Sequence, residues 1–159
     1  MSERAEALAR KFEAKARDAT AVFQRLSDAD WAKTTAAEKW SVGVTAHHIA
    51  VSHGLIAGLI KTLADGKPGP SIPLDTIHQM NAKHAQEHAG CTKVETLALH
   101  ERAAAAAAAV VRGLADAELD RRGKVIVEMP EVSAADLAGG LLCGHIDQHL
   151  ASIKDTVGA

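Results

Sequence analysis

Apolar side chains recur every three or four positions through four long stretches of this chain, a period that admits amphipathic helices and little else. From Ser2 to about Leu26 the apolar side is Ala5, Leu8, Phe12, Ala16, Ala19, Val22, Phe23 and Leu26, and charges fill the other side. Ser41 is a candidate N-cap for a second helix, about Val42 to Ala64. Asp65-Gly66-Lys67-Pro68-Gly69-Pro70 ends it, because proline removes donors and glycine permits positive φ. The third long helix is about Thr92 to Leu114. Its seven alanines, Ala103 to Ala109, combine high helix propensity with little bulk and predict a structural spacer that lets a neighbouring helix approach closely. Ser133 followed by Asp136 starts the last, about Ala134 to Thr156.

The intervening segments are shorter. Ser27-Asp28-Ala29-Asp30-Trp31 predicts a helical turn, Leu74 to Ala89 a weaker helix ended by Gly90, and Val125-Ile126-Val127 an extended piece. Nothing resembling a repeat or a long linker divides the 159 residues, a length expected of one domain that buries about two-thirds of its unfolded surface. The expected fold is all-α: one domain over residues 1–159, an antiparallel four-helix bundle with an additional short helical segment between the second and third long helices.

With 18 basic against 20 acidic side chains and a net charge of -2, there is no electrostatic reason to expect nucleic acid or an anionic membrane as partner. Two Trp and two Phe are the only aromatics, so no basic stripe with interleaved rings exists either. Cys91 and Cys143 make no disulfide framework, the N-terminus is charged, and no run approaches 18 apolar residues. The expectation is a soluble, untargeted cytoplasmic protein.

Nine histidines are many for such a chain. His145 and His149 stand four residues apart, so they leave one face of the last helix a turn apart. Leu141, Leu142 and Ile153 put them on or beside a core-facing stripe. They are either a metal grip or half-buried residues that hold carbonyls or water. On the second helix the apolar stripe is Val44, His48, Val51, Leu55 and Leu59, which turns His48 inward. His47 lies about 100° and His53 about 140° from that stripe, so both are expected at the surface or on a pocket rim. His84 and His88, with His78 upstream, repeat the four-residue spacing. Lys83, Gln86 and Glu87 around them predict an exposed polar helix, with His78 and Asn81 as pocket-lining candidates. Bundles build metal sites from side chains on facing helices, so His48 can converge with His145 and His149. Three neutral imidazoles with an open position make a catalytic rather than a structural arrangement.

These residues together resemble the DinB-like superfamily, metal-binding four-helix bundles related to thiol-dependent S-transferases and to a mycothiol-dependent maleylpyruvate isomerase. The family opens its second helix with Trp-Ser-x-x and a ligand histidine eight residues after the tryptophan; here Trp40-Ser41-Val42-Gly43 is followed by His48. Its last helix carries H-x-x-x-H, here His145 and His149. The resemblance implies that His48, His145 and His149 are metal ligands. Two departures stand out: Val42-Gly43-Val44-Thr45 where relatives often place a charged residue, and Gln148 where they place a histidine.

A three-histidine site suits zinc, nickel or iron as its one divalent metal. The implied activity is a metal-dependent transferase that uses a low-molecular-weight thiol as cosubstrate on a small-molecule substrate. The alternative is a non-catalytic metal-binding or stress-response bundle. No catalytic side chain is identified. Asp147, two positions from each ligand, points elsewhere. Cys143 lies about 200° around the helix from His145 and reads as a buried structural thiol. Cys91, beside Gly90 at a helix start, is placed for a lowered thiol pKa but has no identifiable partner. Apolar positions on the first two long helices lead to the expectation of a homodimer.

Overall fold

A computed structural model describes residues 2–158. In chain order its elements are α1 (Glu3–Arg25), α2 (Asp28–Ala32), α3 (Val42–Ala64), α4 (Leu74–Glu87), α5 (Lys93–Arg112), α6 (Asp116–Leu119), β1 (Arg122–Gly123), β2 (Val132–Ser133), α7 (Ala134–Asp136), a π-helical turn (Leu137–Leu142) and α8 (Cys143–Val157). The expected all-α, antiparallel four-helix bundle is what forms, with α4 as the extra segment and a two-residue antiparallel ribbon at β1 and β2.

Local chemistry sets the ends. The Ser2, Ser41 and Thr92 side chains accept from the amides of Ala5, Val44 and Glu95 and so cap α1, α3 and α5. Ser133 and Asp136 exchange side-chain and backbone bonds in a capping box at the start of α7. Of the expected extended piece only Ile126 pairs, in an isolated parallel bridge with Ile72, where the Ile72 amide donates to Val125 O and the Val127 amide to Ile72 O; Val125 is a bend and Val127 opens a turn.

Packing order differs from chain order. α5 and α8 each pack against both α1 and α3, so α1 and α3 lie across the bundle from one another. α3 has neighbours on more than two sides, because α4 and α7 also lie against it. Every residue from Val42 to Ala50 is buried as a result. The sequence stripe on α3 is therefore only half right: His48 points inward, but Leu55 is 57% exposed, and Ile49, Ile56, Ile60 and Leu63 supply the core. Phe12, Phe23, Leu142, Ile146 and Ile153 complete it from α1, the π-turn and α8, each burial worth about 1.5–3 kcal/mol. Ala107 and Ala108 are fully buried, as a close-approach spacer requires.

Gly43 admits the Trp31 indole against the start of α3. A Cβ there would collide with the Trp31 indole, which lies against the helix and donates from Nε1 to Cys91 O at 3.0 Å. Between helices, Arg112 on α5 grips Glu6 at 2.7 Å and Glu13 at 2.8 and 2.9 Å on α1. Asp147 is similarly occupied, by Lys15 at 2.8 Å. One expectation needs correcting: α3 is long enough and apolar enough, with mean hydropathy 1.3, to cross a membrane by length and composition, although 72% of that window is buried inside the bundle.

Candidate metal centre

Three histidines of α3 face three different neighbours. Successive helical residues turn by about 100°, so His47 meets α4, His48 meets α8 and His53 meets α5. His48 and His149 are buried and His145 is nearly so, and the ligand nitrogens of these three residues lie within 4.8 Å of one another. His48 Nε2 and His145 Nε2 are 3.0 Å apart. Two nitrogens bound at about 2.0–2.1 Å to one ion are about 3.0 Å apart at a right angle and about 3.4 Å at the tetrahedral angle, so this pair fits a shared ion. Trp40 closes over His48, edge to face at 5.2 Å between ring centroids.

Electrostatics keep the His48 and His145 rings neutral, as ligation requires. Burial, and then the neighbouring imidazoles, push His48 down to about 3, and burial followed by His149 does the same to His145. His145 Nδ1 is buried without a hydrogen-bond partner. The His48–His145 pair is thus poorly satisfied as a purely hydrogen-bonded unit, since one shared proton leaves another polar nitrogen bare.

His149 is held differently. Its Nδ1–H donates to Glu38 Oε1 at 2.9 Å, and Ser152, one turn further along α8, donates from Oγ to Glu38 Oε2 at 2.7 Å. This fixes the tautomer and leaves the Nε2 lone pair for the centre, the carboxylate–histidine arrangement that orients metal ligands. Burial works to raise the Glu38 pKa, but the bonds from Ser152, His149 and Thr35 outweigh it and hold the carboxyl below its ordinary value. Glu38 escaped the sequence reading. It lies in the turn before Trp40, where no period marks a facing, and the only clue was an acidic residue beside the Trp-Ser motif.

Five of the other six histidines divide into a pair and a cluster, while His78 is exposed on α4 and joins neither. His53 and His100 are 1% and 0% exposed, so the expected rim position of His53 is wrong; α1 covers it, with Phe12 edge to face at 5.2 Å. His100 Nε2–H donates to Ala16 O at 3.0 Å, so its Nδ1 accepts from His53 Nε2–H, also at 3.0 Å. His47, expected at the rim, is also buried, and its Nδ1 lies 2.7 Å from His84 Nε2. His84 and His88, expected on an exposed polar helix, are half-buried against it. Helix α3 is covered nearly all round, so its own sequence carries no sign of which histidines a neighbour will cover.

The DinB superfamily matches residues 11–153. The chain belongs to that superfamily. Solved structures agree with a DinB bundle. The mycothiol-dependent maleylpyruvate isomerase has a TM-score of 0.75 at 11% identity over 96% of this chain, and a histidine-to-alanine mutant of it scores 0.74 at 10%. The chain spans 63% of the length of that isomerase. YfiT from Bacillus subtilis, described as a probable metal-dependent hydrolase with an unusual four-helix bundle topology, gives 0.72 at 14% identity over 99% of this chain and 90% of its own. At such identities the likeness is one of fold. No curated protein sequence matches the chain.

Neither cysteine of this DinB chain completes the centre. Cys143 is buried, its Sγ against Ala138 O at 3.4 Å, and burial raises its thiol pKa. Cys91 is half-buried and also raised by burial, which corrects the lowered value expected from its place at a helix start.

Proposed function

We propose that His48, His145 and His149 hold one divalent transition metal, zinc, nickel or iron(II), and that the chain acts as one domain whose site runs a small-molecule transfer with a low-molecular-weight thiol as the attacking cosubstrate. The convergence of three imidazoles from α3 and α8, their ligand nitrogens within 4.8 Å of one another, carries this reading. When bound, such an ion supplies an open coordination position at which a thiol or a water loses its proton near neutral pH. The surrounding residues have separate tasks. Glu38 accepts from His149 and keeps its Nε2 aimed inward, Ser152 steadies Glu38, and the Trp40 ring shields His48 from water.

Protein prepared without a histidine tag is expected to contain about one equivalent of transition metal at this site, and His149→Ala to lose it. Cobalt-loaded protein is then mixed anaerobically with a small thiol. A change in the visible spectrum supports a thiol-competent site, whereas an unchanged spectrum with full metal content overturns the transferase reading and leaves a non-catalytic metal-binding bundle. Substoichiometric metal in the wild type would end both.

A further inference from the structure

A second histidine cluster adjoins the first, on the side of α3 that α4 covers. The ligand nitrogens of His47, His84 and His88 also lie within 4.8 Å of one another. His47 is 8% exposed, and His84 and His88 are half-buried one turn apart on α4. The His48 and His84 rings approach edge to face at 5.7 Å, so the two clusters touch.

Packing alone accounts poorly for this second group. Its rings stack, His47 on His88 at 4.2 Å and 22°, yet its ring nitrogens share one hydrogen bond, His47 Nδ1 to His84 Nε2, and His84 Nδ1 is buried with no partner. A buried polar atom left in this state costs about 1–3 kcal/mol. Burial, then the neighbouring imidazoles, pushes His84 down to about 4, so the lone pairs are available at neutral pH. Helix α4, moreover, contributes no fully buried side chain, and its N-cap, Pro73, offers no side-chain acceptor, so that the first amide, Leu74, is held only from outside by Glu128 Oε2 at 2.9 Å. A helix with so little apolar anchorage needs another tie to the bundle.

We propose that His47, His84 and His88 form a second transition-metal site, distinct from the His48–His145–His149 centre, whose occupancy fastens α4 to α3. The donor set is three imidazoles, which selects zinc, copper, nickel or cobalt over magnesium or calcium. Binding opens the 2.7 Å contact between His47 and His84 toward the roughly 3.0–3.4 Å that two ligands of one ion require. His88 is the C-cap of α4, with φ -113° and ψ 19° and its amide bonded to His84 O at 3.0 Å, and its ligand nitrogen already lies within 4.8 Å of the other two.

The test uses metal-stripped full-length protein titrated with zinc or cobalt, with bound metal counted after desalting. Wild type is expected to hold two equivalents per chain, His84→Ala and His88→Gln one each, and His149→Ala one. Combining His149→Ala with His84→Ala is expected to leave none. A wild type with one equivalent that survives both α4 substitutions overturns the second site while leaving the first intact. A single equivalent that survives His149→Ala but not His88→Gln supports the second site and overturns the first. Because His88 is half-buried, His88→Gln decides the matter even if His84→Ala fails to fold. Amide exchange in Leu74–Glu87 of the His149→Ala protein reads the fastening directly. Zinc at 100 times its dissociation constant is expected to slow it about a hundredfold, and unchanged exchange would overturn the clamp.

Discussion

The His48–His145–His149 centre and the His53–His100 pair are built from the same side chain, and each takes one ring from helix α3. They differ in where the nitrogens go. In the pair, every bond resolves into a chain with one direction, His53 Nε2–H to His100 Nδ1 and His100 Nε2–H to the Ala16 carbonyl. In the centre, Nε2 faces Nε2 across 3.0 Å, and the Nδ1 of His145 has no partner. Burial and neutrality are common to both, with His48, His145 and His53 all lowered to about 3. Depth and a depressed pKa therefore do not separate a histidine proposed to ligate from a packing one. What separates them is whether the protein alone satisfies the ring.

The largest test of that distinction is removal of one ring from each region. His149→Ala is expected to abolish metal retention at the centre, whereas His53→Leu is expected to leave the metal content unchanged, both read by elemental analysis after desalting. Equal loss in the two variants would erase the contrast. A smaller effect sharpens it. Glu38→Gln keeps the size of the side chain but weakens the acceptor for His149 Nδ1–H, and metal affinity is expected to fall about 10–100-fold with the metal-free fold unchanged by circular dichroism. An unaltered affinity would reduce Glu38 to a structural cap for Ser152.

Much of this was legible in the chain before its fold was known. The four long amphipathic periods gave the helices, and α3 starts and stops at the Val42 and Ala64 that Ser41 and the Asp65–Pro70 breaker indicated. Facing put His48, His145 and His149 toward one another, and their ligand nitrogens do lie within 4.8 Å. What a single helix cannot report is which neighbour covers each side. His47 and His53 were turned away from one apolar stripe, but α4 and α5 lie there, so both are buried. The half-burial of His84 and His88 was hidden for the same reason, since the polar residues around them conceal the face that meets His47. Glu38 lay outside any period. The π-turn at Leu137–Leu142 was also unannounced; it widens the helix just before Cys143, and Leu137, Ala138 and Leu142 are its buried residues.

Stability measurements separate pair from centre next. His53→Leu leaves His100 Nδ1 buried without its donor, at an expected cost of about 1–3 kcal/mol. Adding His100→Leu removes the orphan, and Ala16 O still accepts from the Thr20 hydroxyl at 3.0 Å. The double variant is expected to be less destabilised than the sum of the singles, as read by urea unfolding of metal-free protein. Additive losses would mean that the two rings do not act as one unit.

The smallest effect is a slope. His53 is held at about 3 in the fold, by burial first and His100 second, against an ordinary value of 6.5. His100 is also lowered by burial. Above pH 6.5 both folded and unfolded chains carry the neutral ring, and the pair's contribution is complete. As pH falls below that value the unfolded chain takes up a proton that the fold refuses, and stability drops by about 1.4 kcal/mol per pH unit for each such histidine. The loss continues toward pH 3, where His53 protonates in place. Metal-free wild type should therefore lose stability more steeply between pH 6 and about pH 4 than the double leucine variant, in which these two titrations are gone. Parallel curves would mean that the pair accepts a proton within the fold. It would then be an unsatisfied site like the centre rather than its closed counterpart.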